Sequence, residues 1–423
     1  MNVLILGSGG REHCFAESIS KSKNCDKVFV APGNSGTSLV AENLDFSPLD
    51  FDLVKEAIIK YNIQLVVVGP EDPLVRGIHD FILSDPILKR VKVIGPKQKA
   101  AQLEGSKDFA KNFLNRHNIP TAKHRTFTSA QFKEACEYIE NNPSPYVLKA
   151  DGLAAGKGVL IIYDANQAKE ELYQMLFKSK FGAASSSVVI EEFLDGIELS
   201  CFVLTDGKNY KILPGAKDYK RIGKGDTGLN TGGMGAISPP PFLTNLIKDK
   251  IEKRIIYPTI KGFETDNLDY IGFVFFGLIL VGQDPYVIEY NVRMGDPETQ
   301  AVLPRINSDF LELLNSVFTG NLCDFDLQID QKSSATVVMV SGGYPEQYEK
   351  NKEIKGLDKV KESKVFHAGA IREEGLLRTN GGRVLAVTSL GKDIKESLEA
   401  SYKSISKIEF ENQYYRRDIG FDL

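Results

Sequence analysis

Two periodicities alternate through the first hundred residues. The apolar runs 3–6 (VLIL), 28–30 (VFV), 65–68 (LVVV) and 91–94 (VKVI) each stop at a glycine or a proline-bearing turn. Between them, residues 11–21 space Phe15, Ala16 and Ile19 along one helical face, and 54–61 reads as another helix. Apolar strands closed by Gly or Pro, with helices between, predict a parallel sheet covered on both faces. Ligands of such sheets sit beyond the carboxyl ends of the strands. Those ends are Gly9-Gly10-Arg11-Glu12, Pro32-Gly33-Asn34 and Glu71-Asp72.

The pattern changes near Lys99. Strand-like runs at 146–149, 159–163, 188–192, 200–203, 271–281 and 286–290 are joined by glycine-rich connections, and Asp206-Gly207 is a hairpin signal. An α+β region is expected as far as about Cys323. From about Asp324 a smaller α+β region carries strands at 335–340 and 384–388 around an Asn380-Gly381-Gly382 turn. A helix follows, with Ile394, Leu398, Tyr402, Ile405 and Ile408 on one side. The small-residue patch 183–187 (AASSS) reads as a mobile connector.

Composition narrows the class. The 423 residues suit about three domains. With 52 basic against 56 acidic residues the net charge is −4, which argues against a sequence-independent grip on nucleic acid. The longest apolar run, 271–281, is about half the ~20 residues a membrane helix needs. The opening MNVLILGSGGREH puts apolar residues before charge, the reverse of a secretory signal, so a cytoplasmic protein is expected. Five scattered cysteines without a CxxC pair fit reduced thiols. The five histidines do not cluster at zinc-ligand spacing, and no GxSxG is present.

Five segments could carry chemistry. Gly7-Ser8-Gly9-Gly10-Arg11-Glu12 follows a strand and opens a helix, so it is either a plain βα turn or a cradle for a small phosphate, which Arg11 would suit. It is not a dinucleotide fingerprint, because Glu12 stands where the third glycine belongs. KADGLAAGKGV (149–159) fails as a P-loop: the spacing is one residue short, Gly158 replaces the hydroxyl, and a strand follows. It is either a flexible hairpin connection or a lid over a triphosphate, with Lys149 as a fixed charge. VVIEEFLDGIE (188–198) is either a solvated strand end or a hinge that reads an adenine edge through its backbone, with Glu198 on the ribose. In IEYNVRMGDPE (288–298), Glu289 and Asn291 share a strand face and offer two hard oxygens to one divalent cation. Arg293 continues that face toward a transferring phosphoryl group, and Asp296-Pro297 resembles a helix N-cap with proline at the first position. The stretch 217–235 is too glycine-rich for an element. It reads as a substrate-covering loop, with Asp218 placed to meet an amine.

The ordered set GSGGREH, APGNSGT, VVGPEDPLVRG, QLEGSKDFAK, VLKADGLAAGKGV, VIEEFLDG, DYKRIGKGDTGLNTGGMGAISP, IEYNVRMGDPETQ, KVFHAG and NGGRVLAVTSLG closely resembles the glycinamide ribonucleotide synthetase family of the ATP-grasp superfamily. The likeness runs the length of the chain. It implies an N-terminal parallel α/β substrate-binding domain (1–103), a central ATP-grasp domain (104–325) with a mobile lid subdomain at about 121–190, and a small C-terminal α+β domain (326–423). It also implies a carbon–nitrogen ligase of de novo purine biosynthesis that joins glycine to 5-phosphoribosylamine through a glycyl phosphate, using ATP and Mg²⁺ or Mn²⁺. By motif position, Lys107 and Lys149 resemble the phosphate-contacting lysines and Gly156-Lys157-Gly158 the lid tip. Glu191, Glu192, Leu194 and Glu198 resemble the adenosine pocket, and Glu289 and Asn291 the metal ligands. Arg293, Asp296 and Glu298 would line the glycine and acyl-phosphate end, with Arg293 and Asp218 catalytic. Gly9, Gly10, Asn34 and Glu71 would hold the ribosylamine. The implied partners are small molecules, with neither nucleic acid nor membrane. A monomer is expected, which the labile amine reaches by diffusion or by handover from the upstream amidotransferase. Two departures stand out. The run 271–281 lacks the extra carboxylate many ATP-grasp enzymes carry there, and Leu229 replaces an expected proline.

Overall fold

The computed structural model describes residues 1–154 and 158–423. The N-terminal region folds as a five-stranded parallel sheet in the spatial order Glu42–Asn43, Lys27–Pro32, Asn2–Gly7, Ile63–Val68, Lys92–Ile94. Val3, Leu4, Ile5 and Leu6 are all fully buried, as a central strand covered on both faces requires. The strand order reverses beside Asn2–Gly7, so a crevice opens at the carboxyl ends there. The edge strand Glu42–Asn43 has only two residues, too few to show a period.

The next region contributes two sheets. A lid sheet orders His124–Thr128, Ser187–Glu192, Tyr146–Ala150 and Val159–Ile162 antiparallel. Helices Phe132–Glu140 and Ala165–Lys178 close a separate core around Phe127, Leu148, Leu172 and Ile190. A second antiparallel sheet orders Tyr210–Ile212, Ile197–Thr205, Gly272–Val281 and Asp284–Asn291, with the Asp206-Gly207 turn joining its first pair. The patch 183–187 is not a mobile connector. It lies in and just after a tight turn, Gly182–Ser186, with Ala184 and Ser185 buried, because Ala184 O accepts from Gly152 N at 3.3 Å.

The C-terminal sheet crosses the sequence regions. Its order is Lys217–Asp218, Gly235–Ser238, Ser333–Val340, Arg383–Gly391, Lys364–His367. One of its strands, Lys217–Asp218, therefore lies in the stretch read as an irregular loop, and a second, Gly235–Ser238, begins at that stretch's last residue. A further hairpin, Arg221–Gly223 with Thr227–Asn230, lies inside that stretch. Glycine removed the side-chain period there, and pairing of Gly235–Ser238 with Ser334–Val337 supplies the order instead. One continuous core joins Ile5 and Phe15, Phe273 and Leu311, and Val337 and Val387. The helix Ile394–Ile405 buries Ser397, Ser401 and Ser404 completely, while Ile394, Leu398 and Tyr402 flank them. Small hydroxyls let the helix approach the sheet closely, and Ser401 Oγ donates to Ala335 O at 2.9 Å. No described helix is long and apolar enough to cross a membrane.

Candidate active site

The strand Asp284–Asn291 carries a bulge at Ile288, since Gly277 pairs with Glu289 and Leu278 with Val287. From Glu289 onward the alternation is unbroken, so Glu289 and Asn291 share a face. Glu289 is half-buried and enters no ion pair among the described residues. Asn291 is buried, its Oδ1 accepts from Arg293 Nη2 at 3.1 Å, and its Nδ2 has no described partner. An unpaired carboxylate beside an amide oxygen is a hard-oxygen donor pair, so these residues fit a divalent cation. Among the described residues no group of three or more His, Cys, Asp or Glu forms a cage. A cation held here would take its remaining ligands from phosphate and water.

Lysines face this strand from the lid and from a helix. Lys149, on Tyr146–Ala150, lies 3.4 Å from Ile288 O and 3.0 Å from Glu191 Oε2. The same Glu191 oxygen pairs with Lys111 at 3.0 Å, while Glu191 Oε1 is buried without a described partner. Despite burial, the two lysines hold the Glu191 carboxyl below its usual range. Burial lowers Lys111 to about 8. Lys107 opens the helix Lys107–Arg116 and donates to Gly152 O at 3.2 Å. Burial lowers its pKa, opposed chiefly by Glu289. Lys111 lies one turn along from Lys107, on the same face; that i, i+4 relation was the available signal for it. Asp151 ties lid to helix by accepting from Ser106 Oγ, Asp108 N and Ser187 Oγ. Glu192 Oε1 accepts from Lys123 N, and Leu194 is half-buried in the link from the lid sheet to Ile197–Thr205. Glu198 pairs with Lys220 at 2.7 Å. Gly158 N-terminally adjoins the strand Val159–Ile162, whereas Gly156 and Lys157 lie outside the described residues.

Arg293 is the hub of the opposite end. Its guanidinium meets Glu104 Oε1 at 2.7 Å and Glu71 Oε2 at 3.2 Å. Burial works against its charge, but Glu104 and Glu71 raise its pKa. Burial raises Glu104 to about 7. Asp218 is buried, and Lys220 approaches it at 3.8 Å. Burial pushes the Asp218 carboxyl up. Burial, and then the Asp218 charge, push Glu298 up to about 7. The unfolded Glu298 carboxyl ionises near 4.5 and the folded one near 7, so stability from this group is present below 4.5 and lost as pH rises to 7. Glu298→Gln is expected to flatten that fall and to raise stability at pH 8 by on the order of 2 kcal/mol. Chemical denaturation across pH 5–8 measures it.

Asp296 does not cap a helix. Pro297 holds the cap position and the helix is Glu298–Val302. The Asp296 carboxylate instead accepts from Arg11 N at 3.2 Å and Gln300 Nε2 at 2.8 Å, and Arg383 Nη1 lies 3.5 Å away. It thus meets the first βα turn, where a Cβ on Gly10 would fall 2.4 Å from Gln300 Nε2. Arg11 is partly committed: its Nε donates to Glu12 at 2.6 Å and its Nη1 to Met294 O at 3.0 Å. Glu12 folds back into the turn and accepts from Gly9 N at 2.5 Å, filling the place a dinucleotide phosphate would need. The Asn34 side chain is also committed: it donates to Ser8 O, Gly9 O and His367 O and accepts from Gly36 N and Thr37 N. His13 is packed, with Nδ1 accepting from His367 N at 2.8 Å, and burial lowers it to about 4.

A cavity of about 760 Å³ opens at these strand ends, between the N-terminal and C-terminal regions. Gly9, Asn34, Asp45, Asp296, Arg372 and Arg383 are among its walls. The two arginines were not legible as site residues, since they come from the far end of the chain. Glu71 lies with Arg293 rather than among the residues lining this cavity.

Comparison with known proteins agrees along the chain. Three family descriptions match: "Phosphoribosylglycinamide synthetase, N domain" at residues 1–104, its "ATP-grasp (A) domain" at 105–299 and its "C domain" at 334–422. A phosphoribosylamine–glycine ligase from Haemophilus influenzae is 46% identical over 427 residues, spanning 100% of this chain and 98% of that protein. The crystal structure of the Thermotoga maritima phosphoribosylamine–glycine ligase has a TM-score of 0.86 at 35% identity, covering 99% of this chain and 100% of that one. The biotin carboxylase domain of 2-oxoglutarate carboxylase from Hydrogenobacter thermophilus, solved with magnesium ADP and bicarbonate, shares the fold at TM-score 0.73 and 15% identity, over 97% and 90% of the two chains.

Proposed function

Since the chain belongs to the phosphoribosylglycinamide synthetase family, whose activity is the ATP-dependent ligation of glycine to phosphoribosylamine in purine biosynthesis, we propose that this reaction runs along the single stretch 289–298. One observation carries the reading: Lys149 of the lid reaches Ile288 O and Lys107 of the helix feels the Glu289 charge, while Asp296, a few residues on, lines the cavity at the N-terminal strand ends. The stretch spans both ends of an in-line transfer.

ATP lies between the lid sheet and the second sheet. Lys107 and Lys149 neutralise its phosphates, and Glu191, Glu192, Leu194 and Glu198 surround the adenosine. Glu289 and Asn291 would hold the cation, Mg²⁺ or Mn²⁺, which would supply charge neutralisation at the phosphates. The glycine carboxylate oxygen attacks the γ-phosphorus, the bond from Pγ to the β,γ-bridging oxygen breaks with its electron pair leaving on ADP, and glycyl phosphate forms, with Arg293 against the transferring oxygens. Phosphoribosylamine occupies the 760 Å³ cavity, its phosphate toward Arg372 and Arg383 and its amine toward Asp218 and Glu298. The amine adds to the acyl carbon, a carboxylate of that pair takes the amine proton, and phosphate leaves with the C–O electron pair. A carboxyl held near 7 suits that transfer.

A cytoplasmic setting fits five cysteines that are all free thiols. We read the enzyme as a monomer acting on small molecules, the labile amine arriving by diffusion or by handover from the amidotransferase that makes it. The defining experiment measures ADP release with phosphoribosylamine, with and without glycine; equal release without glycine would overturn the assignment. Arg372→Ala is expected to raise the phosphoribosylamine KM about ten-fold, one charge-assisted contact, and to leave the ATP KM unchanged. Steady-state kinetics separate the two constants.

A further inference from the structure

Residues 217–221 alternate between two environments. Asp218 and Lys220 turn toward Glu198, as the 2.7 Å and 3.8 Å contacts of Lys220 show. Lys217 and Tyr219 turn the other way and both end on Asp422: Lys217 Nζ lies 3.0 Å from Oδ2, and Tyr219 OH donates to Oδ1 at 2.9 Å. The segment that brings Asp422 there is anchored by Arg416, whose side chain is fully buried. Arg416 binds both oxygens of Asp418, at 3.0 and 2.9 Å, and reaches Arg221 O and Asp226 in the hairpin. Asp418 in turn accepts from Gly225 N at 2.7 Å, and Tyr414 OH donates to Ile222 O at 2.9 Å. The Tyr219 ring lies under Lys217 Nζ and the Arg416 guanidinium, 4.7 and 5.4 Å from its centroid.

A buried arginine with all its directions satisfied makes a rigid anchor. On the opposite face from Lys217 and Tyr219 stand Asp218, assigned above to the amine end of the site, and Lys220 beside it. The period of two makes any shift of Lys217 or Tyr219 a shift of Asp218 and Lys220. We propose that the 414–422 segment is a positioning clamp for the ligation reaction, with Asp422 setting Asp218 and Lys220 through Lys217 and Tyr219. Asp422 itself touches no reactant. Its effect falls first on Asp218 at the glycine and amine end; Lys220 passes a smaller shift to Glu198 at the adenosine end, so the loss in glycine KM or kcat exceeds any change in ATP KM.

The inference rests on the assignment of Asp218 to the amine end, and its test is built to separate the two. Asp422→Asn retains the shape of the side chain while removing the charge opposite Lys217. The expected result in the full chain is a rise of about ten-fold in glycine KM or an equal fall in kcat, ATP KM within two-fold of the parent, and an unchanged thermal midpoint. The pH dependence of kcat shifts to lower pH, because Lys217 freed of Asp422 acts more strongly on Asp218. Asp422→Glu restores most of the loss. Parent-like kinetics and pH profile in Asp422→Asn overturn the clamp, and so does a loss shared equally with ATP KM. Should Asp422→Asn lower the thermal midpoint, Tyr219→Phe, which removes only the hydroxyl contact, carries the same expectation and the same reversal. Asp218→Asn is the reference. If it retains full activity, the reading of the site has failed; if it is inactive while Asp422→Asn is normal, only the clamp has.

Discussion

Glu289→Gln is expected to lower turnover about 1,000-fold, equivalent to about 4 kcal/mol of transition-state stabilisation. The folded state should barely respond. Glu289 has no ion-pair partner among the described residues, so neutralising it leaves no buried cation stranded. It lies near enough to Lys107, Lys220 and Arg293 to influence the titration of each. Among the described residues it is surrounded by cations yet bonded to none, which is what the proposed cation-ligand role asks of it. ADP release measured against divalent-cation concentration should show a weakened cation dependence, and thermal unfolding should show a parent-like midpoint. Full turnover in this variant would falsify the cation assignment.

Arg293→Met has the largest expected effect on stability, a loss of about 3–5 kcal/mol, because it strands Glu104 and Glu71. The Glu104 side chain is only 7% exposed, accepts from Val292 N at 2.7 Å and gives up its strongest partner. Activity should fall by at least about 100-fold, the cost of one donor aimed at developing charge. Adding Glu104→Gln to Arg293→Met removes the stranded carboxylate and should recover much of the stability without recovering activity. Urea denaturation and ADP release on the same three proteins give the comparison. A double variant that regains turnover would show that Arg293 acts only as a structural partner of Glu104.

The legible parts of the site were those governed by short-range geometry. Glu289 and Asn291 fall on one face because strand alternation needs no partner to state it, and the bulge at Ile288 precedes them. Lys149 was readable from its strand. The parallel N-terminal sheet followed from apolar runs that stop at glycine. What escaped depends on contacts across the chain. Glu104 takes its role from Arg293, 189 residues away. Asn34 offers an exposed-looking amide in sequence, yet His367 O, 333 residues away, claims part of it. Arg372 and Arg383 reach the cavity only because the C-terminal sheet docks beside the first βα turn. The 217–235 stretch concealed its strands for a different reason. Glycine leaves the backbone able to pair but removes the side-chain rhythm by which strands are recognised.

The sheet that borrows Lys217–Asp218 and Gly235–Ser238 imposes an order on biosynthesis. Gly235–Ser238 gains its inner neighbour only when Ser333–Val340 has left the ribosome, and that strand gains its own only with Arg383–Gly391. Closure of so long a loop comes late in folding. Asp218 is therefore among the last groups to reach its working position, after the lid has formed from nearer neighbours. On the function proposed above, a nascent chain that already grips nucleotide would still lack the means to complete an amide.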